Sequence, residues 1–150
     1  MTNFGNRYEI SSLTNDKVKL INSLHHRKYR REHNLFVAEG IRICREAIEN
    51  DWEIRYLLYD NLHADIQKIE NLISDVLCLG ADVIGVTSDI LSKISHKENY
   101  QNVLCVICQK WNDLPGIIKD KTFVALETVR DPGNLGTILR TMDGVGATDC

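Results

Sequence analysis

A run of six apolar residues, Val103-Leu-Cys-Val-Ile-Cys108, constrains this chain more than any other segment. It has no polar alternation and no helical spacing, so it reads as a buried strand. Three other short apolar runs, Leu35–Ala38, Ile54–Tyr59 and Val83–Val86, have the same character. Stretches of helical period separate them. Thr14 and Asn15 can cap a helix that starts near Asp16, carries Leu20, Ile21 and Leu24, and runs into a basic cluster. Ile41, Cys44 and Ile48 form the stripe of a helix ending near Asn50. Leu62, Ile66, Ile69, Ile73 and Val76 recur at helical spacing, and Gly80 suits that helix's end. Thr87 or Ser88 caps a further helix with Ile90, Leu91 and Ile94. This alternation over the first 110 residues predicts an α/β layer with a largely parallel sheet.

Beyond residue 110, Asp113-Leu-Pro-Gly116 is a turn signal within a linker over 111–121. Thr122-Phe-Val-Ala-Leu-Glu127 is again a strand, and a loop follows over Thr128–Gly133. A helix then places Leu135, Ile138, Leu139 and Met142 on one face, and Ala147 stands where one more strand could open. With 150 residues, 43% apolar and 26% charged, the chain is globular rather than disordered. No stretch is long and apolar enough to span a membrane, and the N-terminus lacks a signal pattern. The expected compartment is the cytoplasm.

The net charge of −3 argues by itself against a nucleic-acid partner, but its distribution does not. Residues 1–50 carry nine Lys/Arg against six Asp/Glu, whereas residues 51–150 carry nine against fifteen. The basic surplus gathers at Arg27, Lys28, Arg30 and Arg31, with His25, His26 and His33 around it. Such a cluster is either a phosphate-contacting surface or a solvated helix end whose charges meet the dipole. Tyr29 and Tyr100 could stack on bases or simply pack. His63 and His96 read as surface residues.

Five cysteines, Cys44, Cys78, Cys105, Cys108 and Cys150, without a secretion signal imply reduced thiols. Cys105 and Cys108 make a C-x-x-C, but no second pair accompanies it, so core cysteine is the expectation over zinc. No metal site is expected.

The chemistry concentrates in Asp131-Pro-Gly-Asn-Leu-Gly-Thr-Ile-Leu-Arg140. Pro132 and Gly133 set a turn, and Asn134 occupies the expected N-cap. Gly136 and Arg140, four apart, share a helix face. Glycine lets a ligand come close, and arginine one turn later supplies a permanent charge. A helix N-terminus with such an arginine suits a phosphate, and a βα turn whose arginine makes a surface ion pair is the plainer account. The G-x-G-x-x-G fingerprint and the P-loop's Gly-Lys-Ser/Thr are both absent.

This run resembles the first signature motif of the SpoU (TrmH-like) branch of the SPOUT RNA methyltransferases, a D-P-x-N-x-G-x-x-x-R stretch after a strand. Asp131, Pro132, Asn134, Gly136 and Arg140 match every anchor, and Gly144 and Gly146 resemble the motif's glycine-containing end. Upstream, the Arg27–Arg31 cluster, Phe36-Val-Ala-Glu39-Gly40, and Val86–Ser95 followed by the Val103–Cys108 strand resemble the family's RNA substrate-binding module. The resemblance implies an α/β RNA-binding domain over 1–110 and a linker over 111–121. Residues 122–150 would then be the first β-α unit of a SPOUT (α/β knot) methyltransferase domain, truncated before the knot. It also implies methyl transfer from S-adenosylmethionine to a ribose 2′-hydroxyl of rRNA or tRNA, with Asn134 and Arg140 as catalytic residues. Arg27, Lys28, Arg30, Arg31 and Glu39 would contact RNA, although Glu39 equally suits a carboxylate at a helix start. The methyl-donor site is expected beyond Cys150, so the 150-residue chain should neither bind the donor nor transfer methyl. The complete enzyme is expected to be a homodimer. A bare strand edge at 122–127 would invite pairing with another chain or docking on the first domain. The alternatives are an RNA-binding module without catalysis and a nucleotide-binding βα enzyme of another kind.

Overall fold

The computed structural model describes residues 4–97, 99–111 and 124–147. They fall in two compact units, Met1–Trp111 and Asn112–Cys150. The first unit is a five-stranded sheet between two helical layers. Its elements run β1 (Arg7–Ile10), α1 (Asp16–Ser23), α2 (Arg27–His33), β2 (Leu35–Glu39), α3 (Ile41–Glu49) and β3 (Ile54–Asp60). They continue with α4 (Ile66–Cys78), β4 (Asp82–Val86), α5 (Ser88–Ser95) and β5 (Val103–Cys108).

The strands lie in the order β1-β4-β3-β5-β2. β1 with β4 and β4 with β3 are parallel, whereas β5 is antiparallel to both β3 and β2. The sheet is therefore mixed, not largely parallel. A helix crossover returns the chain to the end where it began, which is why β3-α4-β4 is parallel. After α5, by contrast, the chain is still at the end of the sheet where β4 finishes: the Ser95 hydroxyl and the Gln101 N–H both donate to Glu39, which pairs with Leu104 near the start of β5. The Asn102 carbonyl there accepts from the Asp60 N–H at the end of β3, 2.9 Å away, so β5 starts where β3 finishes. Strand β1 was not anticipated: Arg7-Tyr-Glu-Ile10 is half polar, as suits an edge strand, and lacks an apolar run.

Successive strand side chains point to opposite faces. On one face Leu57, Tyr59, Val103, Cys105 and Ile107 pack under Cys44 and Ala47 of α3 and Ile69, Leu72, Ile73 and Val76 of α4. On the other, Leu58, Ile84, Val86, Leu104 and Val106 pack under Val18 and Ile21 of α1 and Ile90, Leu91 and Ile94 of α5. Ile54 joins the first face although it lies an odd number of positions from Leu57. The register shifts between Ile54 and Tyr56, and a β-bulge at Arg55 resets the alternation.

Helical boundaries differ from expectation at two places. The helix from Asp16 does not run into the basic cluster: α1 ends at Ser23 and α2 starts at Arg27. Leu24, the C-cap of α1, still packs into the core. Asn15, one of the two anticipated caps, accepts from the Lys17 N–H at 2.9 Å. Leu62 lies ahead of α4 and is exposed.

Cys44 and Cys105 are joined, with Cα atoms 5.9 Å apart, which corrects the expectation of reduced thiols at these two positions. Cys105 and Cys108 cannot partner each other, because three positions along a strand place them on opposite faces. Cys105 faces α3 instead, where Cys44 sits. Cys78 and Cys108 are free.

In the second unit, α6 spans Pro132–Gly144. The strand expected at Thr122–Glu127 does not form over its described residues, 124–127. A strand exists only through a partner for its backbone groups, and Ala125–Arg130 are exposed. The turn signal at 113–116 and any strand after Ala147 lie outside the described residues. No helix among the described residues is long and apolar enough to cross a membrane.

Candidate functional site

Helix α2 carries the basic cluster and buries none of its residues. Its end is sharp: Asn34 adopts a left-handed conformation (φ 55°) and passes the chain straight into β2. Arg27, Lys28 and Arg31 are exposed, and none of them makes an ion pair among the described residues. Arg30 differs. Its guanidinium donates to the Leu24 carbonyl at 2.9 Å and the His25 carbonyl at 2.6 Å. These carbonyls close the break between α1 and α2, where an unsatisfied helix end needs donors. The cluster thus splits into three free cations and one structural arginine.

Glu39 closes β2, and its carboxylate is 9% exposed. One oxygen accepts from the Gln101 N–H at 2.6 Å. The other accepts from the Ser95 hydroxyl and from the Lys97 ammonium, each at 2.9 Å. Burial pushes this carboxyl up, but the Gln101 N–H, Lys97 and Ser95 outweigh it and hold it below the usual carboxylate range. Its acceptor capacity is thereby committed to joining β2, the end of α5 and the 99–101 segment. The next residue, Gly40, has φ 110°, which a side chain would strain. Its N–H donates to the Val103 carbonyl at 2.9 Å.

Residues distant in sequence complete this surface. His25 stacks on His96 with ring centroids 3.8 Å apart, and His25 Nε2 hydrogen-bonds the Ile94 carbonyl. His96 Nε2 donates to Asn22 Oδ1 at 3.0 Å. Burial first, then the neighbouring His25 and His26, pull the His96 imidazole below its ordinary value, so it is mainly neutral at pH 7. Lys97 lies beyond the C-terminus of α5. Its part was missed from sequence, since nothing local shows that residue 97 folds beside residues 24–39. Between these parts, an open groove of about 510 Å³ crosses the β2 edge.

The other anticipated residues have mainly packing surroundings. Tyr29 lies edge-on to His26, with Lys28 5.6 Å above its ring. Tyr100 packs against the α1/α5 core. His63 is exposed, and its Nδ1 lies 2.9 Å from Ser88 Oγ and 3.2 Å from Asp60 Oδ2. Among the described residues no group of three His, Cys, Asp or Glu side chains is placed to hold a metal.

In the second unit the cap of α6 is Asp131, not Asn134. Asp131 Oδ1 accepts from the Gly133 N–H at 2.9 Å. Pro132 decides this: lacking an N–H and with φ preset, proline favours the first helical position, which puts the cap on the residue before it, three positions ahead of Asn134. Asn134 therefore sits within the first turn, exposed, beside the N-terminal N–H groups. Arg140 folds back over Gly136. A Cβ at Gly136 would lie 3.3 Å from Arg140 Nη1, and Arg140 Nη2 donates to Thr137 Oγ1 at 3.3 Å. Glycine is what leaves the guanidinium room to lie along the helix. Of the expected stripe, Met142 is buried while Leu135 and Leu139 are more than a third exposed. Residues 125–135 are exposed throughout.

Comparison with known proteins agrees with these parts. Residues 15–105 match the MRM3-like substrate binding domain. The chain is 30% identical over 138 residues to the 23S rRNA (guanosine(2553)-2′-O)-methyltransferase RlmP of Bacillus subtilis, covering 92% of this chain and 51% of that protein. It superposes on an AdoMet-bound rRNA methyltransferase from Sinorhizobium meliloti with a TM-score of 0.80 and 36% identity, over 94% of this chain and 52% of that one. The SpoU methyltransferase AviRb from Streptomyces viridochromogenes, in complex with AdoMet, gives a TM-score of 0.73 at 26% identity, over 89% and 51%. The chain thus spans about half the length of these relatives. It belongs to the MRM3-like substrate-binding domain family, and its relatives are SpoU/TrmH-type methyltransferases of the SPOUT superfamily.

Proposed function

We propose that this chain is the RNA-holding half, with the first catalytic motif, of an RNA ribose 2′-O-methyltransferase that uses S-adenosylmethionine. The observation that carries it is the set of three free cations, Arg27, Lys28 and Arg31, all exposed, on a helix of a domain matched to substrate binding. Unpaired cations on a rigid element bind phosphates and release counterions, so they supply affinity and orientation without sequence information. Arg30 and Glu39 support the same surface from beneath, by closing the α1–α2 break and by holding Lys97. The substrate is rRNA or tRNA, the compartment is the cytoplasm, and the complete enzyme is a homodimer.

Asn134 and Arg140 are the proposed catalytic residues. The reaction needs the ribose hydroxyl aligned and the charge that develops on its oxygen stabilised. A guanidinium, with a pKa above about 12, is a poor base at neutral pH. Arg140 therefore orients the ribose or its phosphate and offsets negative charge on the attacking oxygen. The family resemblance assigns the methyl-donor pocket to motifs later than the Asp131–Arg140 run. The 150-residue chain alone is accordingly proposed to bind no S-adenosylmethionine and to be inactive.

Two measurements test this. In fluorescence anisotropy with a labelled rRNA fragment, Arg27→Glu with Arg31→Glu should abolish binding at an unchanged melting temperature. Milder Ala variants should flatten the salt dependence by roughly 0.7–0.9 log units per lost contact. Unchanged affinity in the double Glu variant would remove α2 from the interface. Calorimetric titration of S-adenosylmethionine into the chain should give no heat. Saturable one-to-one binding would place the donor site within these residues and overturn the inactive-alone reading.

A further inference from the structure

Strand β2 forms one edge of the sheet, and its backbone pairs on one side only. The Gly40 N–H donates to Val103, and the Gln109 N–H donates to Asn34. With the register Phe36–Ile107 and Ala38–Cys105 between them, the even-numbered residues of β2 direct their backbone groups at β5. The N–H and C=O of Val37 therefore point out of the sheet, and no described residue bonds them. The 510 Å³ groove lies over this edge. Its accessible apolar lining is the half-buried Phe36, Val37 and Ala38 of the strand with the exposed Ile43 of α3, while Leu24 and Ile94 close it from behind as buried core. Ile43 is 46% exposed. The rim carries two cations, Arg30 and Lys97, against one carboxylate, Glu39, which leaves it net positive by one charge, with the His25 ring beside them.

Apolar walls, one unsatisfied donor–acceptor pair at the floor and a positive rim fit a particular chemical object. It has flat apolar faces, a hydrogen-bonding edge and a phosphate on either side. We propose that the groove over the free edge of β2 receives an unpaired nucleobase of the substrate RNA. Val37 N–H and C=O read the base's edge, and the flanking phosphates reach Lys97 on one side and the α2 cations on the other. This rests on the RNA-binding reading above and goes further: the substrate is a loop or single strand at this point, not a duplex. A base in a duplex has its faces stacked and its edge paired, so it cannot present either to the groove. A peptide strand could also pair with β2, but a cationic rim favours the polyanion.

The test compares two fluorescein-labelled RNAs binding to the 150-residue chain at one salt concentration: an unstructured 12-nucleotide strand and a 12-base-pair duplex. The single strand should bind about tenfold or more tightly, the scale of one stacked base. Ile43→Glu, an exposed substitution whose fold is checked by circular dichroism, should erase that preference while the duplex affinity changes little. Independently of any variant, a 4-thiouridine strand irradiated with the unaltered chain should crosslink to the peptide containing residues 35–43. Equal affinity for both RNAs, or crosslinks confined to residues 27–31, would overturn the groove while leaving the phosphate surface standing. Binding to neither RNA would overturn the RNA reading as well. A concentration-dependent dimer that Ile43→Glu dissolves, with no preference between the RNAs, would assign the edge to a strand of a second copy instead.

Discussion

Replacing Glu39 by glutamine separates two roles that sequence alone leaves open, a direct RNA contact and the positioning of Lys97. In the structure the carboxylate accepts three hydrogen bonds, from the Gln101 N–H, the Ser95 hydroxyl and the Lys97 ammonium. The amide is nearly isosteric, but it is uncharged and turns one acceptor into a donor facing a donor. Hydrogen bonds to charged groups contribute roughly 1.5–3 kcal/mol each against about 1 for neutral ones. The Lys97 side chain is 61% exposed, so its share is small after solvent screening. One lost bond and two weakened ones then amount to about 2–3 kcal/mol. For a domain of this size that corresponds to a melting-temperature drop of about 6–12 °C. The carboxyl is held low in the folded state, so its contribution is present above the ordinary carboxylate range and is lost as pH falls through the lowered folded value. The gap between Glu39→Gln and the unaltered chain should therefore be full at pH 7 and shrink in strongly acidic buffer. Calorimetric melts across that range measure it, with anisotropy on the rRNA fragment alongside. An unchanged melting temperature with RNA affinity reduced by about tenfold or more would refute the positioning role and return Glu39 to the RNA surface.

Three further outcomes are expected. Arg30→Ala should destabilise the first unit by about 1–3 kcal/mol, because the Leu24 and His25 carbonyls lose their donor; an unchanged denaturant midpoint would make Arg30 a free cation like its neighbours. Gly5→Ala should cost about 1–3 kcal/mol, since its Cβ would lie 1.9 Å from the Ala81 carbonyl oxygen and the lead into β1 would have to shift; a normal melt would show that this segment is not seated in solution. Asp60 and Asp82, like Glu39, are held below the usual range although burial alone would raise them. Hydrogen bonds from Ser88, Leu62 and His63 do so for Asp60, and from Asn6, Lys17 and Tyr8 for Asp82. Stability should accordingly fall as pH drops below about 4, and Asp82→Asn should blunt that fall, as followed by circular dichroism.

Local chemistry determined a good deal of this protein. Val103–Cys108 is a buried strand because a continuous apolar run of that length is best satisfied inside a sheet, and its limits are those expected. The stripe Ile69, Ile73 and Val76 lies under α4 as helical spacing requires. The Asp131–Arg140 run is a helix start in which Gly136 makes room for Arg140, and that much follows from two residues four apart. Even the misplaced cap was legible, since Asp-Pro announces a helix one residue before Pro132.

Tertiary structure alone decided the direction of β5, the role of each cation and the makeup of the site. Strand direction depends on where a connecting segment leaves the chain, and nothing local shows that the end of α5 lies beside Glu39, at the end of the sheet where β5 begins. Arg30 differs from Arg27 and Arg31 only because the turn at Leu24 brings two carbonyls within its reach. The pairing of Cys44 with Cys105 spans 61 positions and depends on α3 crossing above β5. The free edge of β2 exists because β5 comes between it and β3, a consequence of strand order. Each of these depends on residues far apart in the chain, and sequence patterns report only the surroundings within a few turns or strand positions.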